Sequence, residues 1–475
     1  MKRGLFIAIL MFANILAQAQ SGHQIKGTIS GIADTTCILA YYYSDKQFAR
    51  DTAFIDSKGQ FIFSGDEELD GGIYMIVFPD GNYFELLVSE QIFSLSTDIN
   101  NLISEMSFNN SNENTLFYEY LKFVSEKGAD LQEQQKLLDA ADEKDKIGIE
   151  GIIFAINEEV ADYRKSFTKK HPNAFVSKVI SASTEIQVPE APLLSNGKID
   201  STFQFKYYKK HFFDNIDFSD SRMLRTPIFQ NKINTYLEKL TVKHPDSIIS
   251  SIDFLVEKSR VNDNVFKYVV SSITSKYERS KIMGMEKVFV DMVEKYYMTN
   301  QTWWIDEAQM FKITDRAETI KPLMVGQVAP EVILKDTLGR RHSLHNTNSD
   351  FTLLLFWDPD CGHCKKEMPK IKEQYDLLKK DGINVAVYAI CTEIDIEKWK
   401  EYINEQELFD WVHVCDPHLG EDKEVTYWFR TLYDINATPK TYILDKEKKI
   451  LVNAIKGSIP VDKIAEIIKR ENQKD

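Results

Sequence analysis

The chain has 475 residues, of which 43% are hydrophobic and 27% charged, a balance typical of folded proteins and not of disordered ones. At roughly 100 to 200 residues per domain, this length predicts about three domains. The formal net charge of -14 repels phosphate groups, so the composition argues against a nucleic-acid partner and against docking on anionic membranes.

Residues 1–19 have the three parts of a secretory signal peptide. Lys2 and Arg3 supply the positive start, residues 5–15 form a short apolar core, and residues 17–19 (Ala-Gln-Ala) are a small-x-small cleavage site. The apolar core is shorter than the ~20 apolar residues of a transmembrane helix. We therefore predict a cleaved signal peptide and an exported, periplasmic protein; a retained membrane anchor is the alternative.

Residues 20–106 are predicted to form an antiparallel β-sandwich with no assigned function. Residues 54–63 alternate apolar and polar side chains around a turn, which is typical of a hairpin, and residues 79–81 (Pro-Asp-Gly) are a second turn signal. Several short strands at roughly ten-residue spacing favour two packed sheets.

Residues 107–322 are predicted to form an all-α domain, also of unknown function. The polar stretch 107–114 marks its start, and beyond it the spacing of apolar residues changes from two to about 3.6, as at Leu116, Tyr120 and Val124. This period is that of helices with one buried face.

Two groups of residues in the helical region are of types that binding sites also use. Core packing is expected for the aromatic residues, with a ligand groove or docking surface as the alternative. Local ion pairs are expected for the charged residues, with anion binding as the alternative. The aromatic residues are Phe203, Phe205, Tyr207, Tyr208, Phe212, Phe213, Tyr296, Tyr297, Trp303 and Trp304, and the charged residues are Asp217, Asp220, Arg222 and Arg225.

Residues 323–475 alternate strands and helices, which predicts an α/β domain. Leu353–Trp357 is a continuous apolar run typical of a strand buried on both sides, a helix follows it, and a second such strand spans Ile383–Cys391. The remaining elements complete a βαβ unit followed by a hairpin and a final helix. They are strands at Val332–Leu334, Lys440–Leu444 and Ile450–Ile455, and helices at Lys398–Ile403 and Val461–Lys469.

Cys361 and Cys364 stand between the apolar strand and the following helix, and they are the predicted redox pair. A helix N-terminus stabilises negative charge, which lowers the pKa of Cys361 from about 8.5. The i, i+3 spacing brings Cys364 close enough to resolve a mixed disulfide. A half zinc site and a structural disulfide are the alternatives, but zinc needs two more ligands, and no second C-x-x-C or H-x3-H pair exists in the sequence. We predict no metal and no cofactor.

The residues next to this pair should affect the ionisation of the cysteine thiol in opposite directions. His363 can donate a hydrogen bond or a partial positive charge to the thiolate, which would make the pair a better oxidant. The carboxylates of Asp358 and Asp360 should raise the cysteine pKa. The sequence alone does not give the sign of the net effect.

With Pro439 immediately before the strand Lys440–Leu444, the C-terminal region resembles the thioredoxin superfamily. In that family a cis-proline at this place packs against the redox cysteines and presents backbone to an extended substrate. The resemblance therefore implies a thioredoxin fold for residues 323–475 and a cis peptide bond before Pro439.

Within the superfamily, the domain is most similar to the TlpA/ResA branch of exported thioredoxins. The matching residues are Gly326-Gln327-Val328-Ala329-Pro330, Phe356-Trp357 and Cys361-x-x-Cys364-Lys365-Lys366-Glu367-x-Pro369. The resemblance implies that Glu367 helps to move protons at the active site, which its position on the same helix face as Cys364 allows. A solvated helix glutamate is the alternative.

Two positions depart from the family pattern. Thioredoxins carry a buried aspartate where Leu355 stands, so proton transfer cannot use that position and depends more on Glu367. Asp360 replaces the tryptophan that is common before the first cysteine, which predicts different partner docking. The Cys-Gly-His-Cys quartet resembles protein disulfide isomerase more than reducing thioredoxins, and the first two regions resemble domains of unknown function that precede such modules in exported bacterial proteins.

The five cysteines form an odd and sparse set, which argues against a disulfide-stapled scaffold. Three of them lie outside the motif: Cys37, Cys391 and Cys415. We expect buried packing thiols at these positions, and a third redox thiol is the alternative for Cys391 and Cys415.

We expect a periplasmic reductase of protein disulfides that receives electrons from a membrane thiol-disulfide donor. Its mechanism would be attack by Cys361, a mixed disulfide, and resolution by Cys364. A disulfide oxidase or isomerase is the alternative within this chemistry, favoured by His363. A peroxiredoxin is not expected. Enzymes of that family use a Thr-x-x-Cys peroxidatic cysteine, and no cysteine in this sequence has threonine three residues before it. The alternative from a different class is a non-enzymatic partner-binding protein with an accessory thioredoxin module.

Overall fold

A computed structural model of the chain describes residues 22–392, 395–415, 428–453 and 459–473. The chain divides into two compact units, residues 1–236 and 237–475. The predicted signal peptide, residues 1–19, lies outside the described residues. No helix in the described part of the chain combines the length and the hydropathy needed to cross a bilayer.

The first unit begins with strands that form two four-stranded sheets. The strands are β1 (His23–Ser30), β2 (Thr35–Tyr43), β3 (Lys46–Ile55), β4 (Gln60–Gly65), β5 (Gly72–Val77), β6 (Tyr83–Val88), β7 (Ile92–Asp98) and β8 (Ser107–Asn109). The strand order is β4-β1-β7-β8 in one sheet and β3-β2-β5-β6 in the other.

Burial along these strands follows the alternation in the sequence. In β4, for example, Phe61 and Phe63 are buried whereas Ile62 between them is exposed. The prediction of a wholly antiparallel sandwich is wrong at one pair, because β1 and β7 run parallel. The chain leaves β1, forms β2 to β6, and returns beside β1 in the same direction, which takes a long crossover and not a hairpin.

The helices of the first unit follow the sheets. They are α1 (Asn112–Ala140), α2 (Glu143–Lys170), α3 (Phe175–Ser183), α4 (Phe203–His211) and α5 (Pro227–Glu238), the last of which crosses the boundary between the units. α1 and α2 pack through aromatic rings, with the centroids of Phe123 and Tyr163 3.8 Å apart. Phe212 and Phe213 are buried as expected, whereas Phe205 is exposed.

The charged residues before α5 form ion pairs, as expected. Arg222 contacts Asp220 at 2.6 Å, and Lys178 lies 2.8 Å from both Asp217 and Asp220. Arg225 pairs with an aspartate of the β-rich region, Asp70.

The second unit begins with helices α6 (Pro245–Ser259), α7 (Asp263–Glu278), α8 (Glu286–Met292) and α9 (Glu307–Ile320). Tyr296 and Tyr297, which follow α8 in the sequence, are buried, as expected for core residues. Trp303 is exposed and stacks on Phe266 with centroids 5.8 Å apart.

A seven-stranded mixed sheet forms the rest of this unit. Its strands are β9 (Ile333–Lys335), β10 (Arg341–Ser343), β11 (Phe351–Trp357), β12 (Val385–Cys391), β13 (Val412–Cys415), β14 (Lys440–Leu444) and β15 (Ile450–Val452), in the order β10-β9-β13-β12-β11-β14-β15. The accompanying helices are α10 (Gly362–Lys380), α11 (Ile396–Glu405), α12 (Trp428–Leu432) and α13 (Ile464–Asn472).

The predicted α/β class of this region is confirmed. Every residue of β11 is buried, and the strand lies between β12, which is parallel to it, and β14, which is antiparallel. β14 has the predicted bounds, while β15 ends at Val452 and residues 454–455 of the predicted strand lie outside the described residues. The domain boundaries 20–106, 107–322 and 323–475 stay predictions; β8 belongs to a sheet although it follows residue 106.

Candidate active site

The Cys-Gly-His-Cys quartet lies where β11 ends and α10 begins. Cys361 is the N-cap residue of α10, with extended backbone angles of φ -71° and ψ 119°. Its own N–H donates to the carbonyl of Asp358 at 3.2 Å, which closes the turn after the strand. Because the strand is buried and the helix starts at Gly362, the first thiol is held at the helix N-terminus.

The two thiols differ in burial and in acidity. Cys364 lies in the first turn of α10 and is fully buried, and burial raises its pKa to about 12. Cys361 is only partly buried. Burial tends to raise its pKa, but hydrogen bonds from the backbone N–H groups of Cys364 and His363 and from the side chains of Thr438 and Cys364 outweigh this, so the pKa of Cys361 is lower than usual. The arrangement favours a thiolate on Cys361 and a protonated Cys364.

The loop before β14 reaches the outer thiol. The Thr438–Pro439 peptide bond is cis, as the family resemblance implied. The Cys361 Sγ–H donates to the carbonyl oxygen of Thr438 at 3.4 Å. Sequence reasoning identified Pro439 but missed Thr438, whose only signal was its place directly before that proline.

One charged neighbour of the quartet, Asp360, forms an ion pair with a residue of another helix. Asp360 contacts Lys398 of α11 at 2.7 Å, and this ion pair lowers the pKa of Asp360. The pairing offsets the negative charge that was expected to raise the pKa of Cys361. Lys398 was also missed, because a pair that joins two helices leaves no spacing signal in the sequence.

The two remaining predicted residues lie on the surface of α10. The side chain of His363 is exposed. Glu367 is partly exposed, and its carboxylate lies 3.4 Å from the Lys370 ammonium one helical turn away. The catalytic roles of His363, Glu367 and Pro439 stay predictions.

The core behind the quartet contains polar atoms that the sequence did not indicate. Leu355, at the position of the thioredoxin aspartate, is fully buried in the same core as Cys364. The Trp357 Nε1 and the Tyr402 hydroxyl lie in this core without a hydrogen-bond partner among the described residues. Burial, and secondly the charge that Cys364 carries when ionised, raise the pKa of Tyr402 to about 12.

The cysteines outside the motif are buried, as expected. Cys391 and Cys415 lie opposite each other on the adjacent strands β12 and β13. Cys37 is buried in the β-rich region, and this burial raises its pKa to about 12. High pKa values make thiols poor nucleophiles near neutral pH.

Three family models match the chain. The AhpC/TSA family matches residues 325–452, a Domain of unknown function (DUF5106) matches residues 163–322, and a Domain of unknown function (DUF4369) matches residues 23–117. The matches support the predicted order of a β-rich region, a helical region and a thioredoxin-like region.

Curated relatives match only the last of these regions. A thiol-disulfide oxidoreductase ResA from Geobacillus thermodenitrificans is 28% identical over 127 residues, which are 26% of this chain and 66% of that protein. The ResA of Bacillus subtilis is 29% identical over 137 residues, 28% of this chain and 68% of that protein. The chain thus spans about two thirds of the length of these relatives.

Solved structures of a thioredoxin-like protein and of a thiol:disulfide interchange protein are also similar to part of this chain. A thioredoxin-like protein from Bacteroides caccae is 20% identical, with a TM-score of 0.45 over 60% of this chain and 99% of that one. A thiol:disulfide interchange protein from a Bacteroides species is 25% identical, with a TM-score of 0.26 over 30% of this chain and 90% of that one. The family models and the curated relatives identify residues 325–452 as a thioredoxin-like domain of the AhpC/TSA family, homologous to the ResA thiol-disulfide oxidoreductases and preceded by two domains of unknown function.

Proposed function

We propose that the protein is an exported thiol-disulfide oxidoreductase that reduces disulfides of other proteins with its Cys-Gly-His-Cys dithiol. The observation that carries the proposal is the inequality of the two thiols. Cys361 is accessible with a lowered pKa, whereas Cys364 is buried with a raised pKa. A nucleophile and a protected resolving thiol are the two parts that disulfide exchange needs.

The reaction balances as two successive exchanges. The Cys361 thiolate attacks one sulfur of the substrate disulfide, forms a mixed disulfide, and expels the other sulfur as a thiolate that takes up a proton. Cys364 then loses its proton and attacks Cys361 Sγ, which releases the second substrate thiol and leaves a Cys361–Cys364 disulfide. Two electrons have passed to the substrate, and a membrane thiol-disulfide donor returns the pair to the dithiol.

Pro439 and Thr438 are proposed to bind the substrate beside Cys361. The carbonyl of Thr438 already contacts the thiol, so an extended substrate chain in this position would place its disulfide next to the nucleophile. His363 is proposed to favour the thiolate, and Glu367 to exchange protons with the site. Export and a periplasmic location are proposed from the predicted signal peptide at residues 1–19.

The direction of electron flow is proposed to be reductive. A midpoint potential near about -270 mV would support reduction, and one near about -120 to -180 mV would support the alternative of an oxidase or isomerase, which His363 favours. The potential should be measured by equilibrating the mature chain with glutathione buffers and counting free thiols.

Insulin reduction tests the activity itself. The wild-type chain should precipitate the insulin B chain in the presence of a dithiol, and Cys361→Ser should abolish this activity because the other four cysteines are buried. Cys364→Ser should instead stall as a mixed disulfide that is visible by mass spectrometry. Cys37→Ala, which removes a buried thiol of the β-rich region, is the matched control and should retain activity. Equal activity of Cys361→Ser and wild type would leave only the alternative of a partner-binding protein.

A further inference from the structure

An ion pair between a partly buried arginine and a buried aspartate joins the helical region to the thioredoxin-like domain within the second unit. Arg316 lies on α9, in the segment matched by a domain of unknown function, and its Nη1 lies 2.5 Å from Asp434 Oδ1. Asp434 lies between α12 and β14 and is only 8% exposed. Asn436 also donates to this oxygen, from Nδ2 at 2.8 Å.

The same carboxylate faces a buried lysine. The Lys440 Nζ is 3.7 Å from Asp434 Oδ2, too far for a hydrogen bond, and Lys440 is 6% exposed. Its hydrogens go to backbone carbonyls instead, at 2.6 Å to Asp434 and 3.2 Å to Tyr433. Arg316 therefore provides the close cationic contact that the buried Asp434 needs.

Residues 434–440 form the loop that carries Thr438 and Pro439. Lys440 directly follows Pro439 and begins β14, where it pairs with Phe356 of β11. On its other side the loop contacts Cys361 through the carbonyl of Thr438. The loop thus makes charged contacts at its first residue, Asp434, and near its last residue, Lys440. Between them, Thr438 contacts the thiol of Cys361.

Removing one partner of a buried ion pair is more disruptive than removing an exposed pair, because the remaining charge is left without compensation. Without the guanidinium, Asp434 would retain, among the residues that the structure describes, the amide of Asn436 and the distant ammonium of Lys440. The start of the loop would have to move toward solvent or toward another donor. Such a movement would change the position of Thr438 relative to Cys361.

We propose that Arg316 is a positioning residue of the active site, which holds the loop 434–440 through Asp434 and so makes the helical region part of the machinery that sets the reactivity of Cys361. The inference rests on the proposed function for its substrate, a protein disulfide. It gives one helix of a domain without assigned function a specific task in the exchange reaction.

The test compares Arg316→Gln with wild type in the full mature chain. The pKa of Cys361, taken from the pH dependence of its alkylation by iodoacetamide, should rise by about half a unit, because the hydrogen bond from the Thr438 side chain, which lowers this pKa, is weakened. The kcat/KM for insulin reduction should fall about tenfold, since misplacement of a substrate-contacting segment slows the reaction. A merely structural ion pair would lower the melting temperature and leave the Cys361 pKa unchanged.

Two further variants make the test decisive. Lys321→Ala removes an exposed ion pair with Glu294 directly after α9, and it should leave both readouts at wild-type values. Arg316→Lys keeps the charge but loses the planar guanidinium, and it should shift the Cys361 pKa in the same direction by less. A wild-type Cys361 pKa in both Arg316 variants, or in Arg316→Lys alone if Arg316→Gln does not fold, overturns the proposal. Failure of the wild type to reduce insulin would count against the proposed function only, because the alkylation comparison does not depend on it.

Discussion

At the scale of single residues, the ion pair between Lys398 and Asp360 lies directly beside Cys361 in the sequence. Asp360 precedes Cys361, and a free carboxylate there would oppose ionisation of the thiol. Lys398 reaches it from α11 at 2.7 Å, although both side chains are about half exposed. A partly solvated pair of this kind has a small effect that salt reduces.

Lys398→Gln is therefore expected to raise the pKa of Cys361 by about 0.3 of a unit at low ionic strength. The rate of iodoacetamide alkylation against pH gives this pKa, and the wild-type midpoint should lie below the ordinary pKa of a cysteine thiol. Lys400→Gln is the control, because Lys400 pairs with Glu397 on the same helix and not with Asp360. The idea fails if Cys361 has the same pKa in the two variants at low salt. It also fails if the difference between their Cys361 pKa values is unchanged at 1 M salt.

At this scale the sequence predicted what is local and missed what is distant. Cys361, Cys364 and Pro439 were found because each lies at a recognisable junction of strand, helix and loop. Thr438 contacts a thiol 77 residues away, and Lys398 pairs with a residue 38 positions away. Side-chain pairs across such separations depend on how the elements pack, which no spacing rule encodes.

Among the elements, α1 is attached to the β-rich region by a buried amide. Asn114 is fully buried, and its Oδ1 accepts from the Leu87 N–H while its Nδ2 donates to the Leu87 carbonyl, both at 2.7 Å. The side chain thus takes the place of a neighbouring strand at the end of β6. The helix start is fixed by Ser111, whose hydroxyl accepts from the Asn114 N–H at 3.3 Å.

Asn114→Ala should destabilise the β-rich region by about 2 to 3 kcal/mol, because it leaves both buried backbone groups of Leu87 without partners. Urea unfolding of the mature chain, followed by far-UV circular dichroism, measures the change. Asn112→Ala is the control two residues earlier, and its exposed side chain should be replaceable at little cost. Equal midpoints for the two variants would show that the amide contacts contribute nothing.

The elements themselves were predicted where the pattern is strong. β11 and β12 were recognised from apolar runs, and α1 from its 3.6-residue period. The parallel pairing of β1 with β7 was missed, because turn signals reveal hairpins and say nothing about strands that meet after several intervening elements. Exposed Trp303 and Phe205 were wrongly expected in the core, since residue type alone does not decide burial.

For the molecule as a whole, the two compact units carry different spectroscopic reporters. Every tryptophan of the chain lies in residues 237–475, whereas helices and strands occur in both units. Intrinsic fluorescence therefore follows the second unit, and far-UV circular dichroism follows both. The tryptophans are Trp303, Trp304, Trp357, Trp399, Trp411 and Trp428.

The units also contain different acid-sensitive groups. In the second unit, burial lowers the pKa of His413 to about 4, and its Nε2 is bonded to the Leu408 carbonyl at 2.8 Å. In the first unit, burial raises the pKa of Asp220, but hydrogen bonds from Arg222 and Lys178 outweigh this and lower it to about 2. Unfolded His and Asp titrate near about 6.5 and about 4.

These shifts act in separate pH windows. Between about pH 6.5 and 4, His413 binds a proton in the unfolded chain but not in the folded one. The free energy of unfolding of the second unit therefore decreases by on the order of 3 kcal/mol as the pH falls through this range. The stabilising contribution of Asp220 is present above about pH 4, and about 2 kcal/mol of it is lost from the first unit only as the pH falls toward 2.

Acid titration of the mature chain should therefore show a fluorescence transition at higher pH than the overall loss of circular dichroism. His413→Gln removes the titrating group while keeping a donor for Leu408, and it should move the fluorescence midpoint to lower pH. His244→Gln in the same unit, where the imidazole is 64% exposed, should leave that midpoint unchanged. Coincident transitions in wild type, unaffected by His413→Gln, would mean that the units unfold together. They would also mean that this buried histidine does not control the acid stability of the domain that contains Cys361 and Cys364.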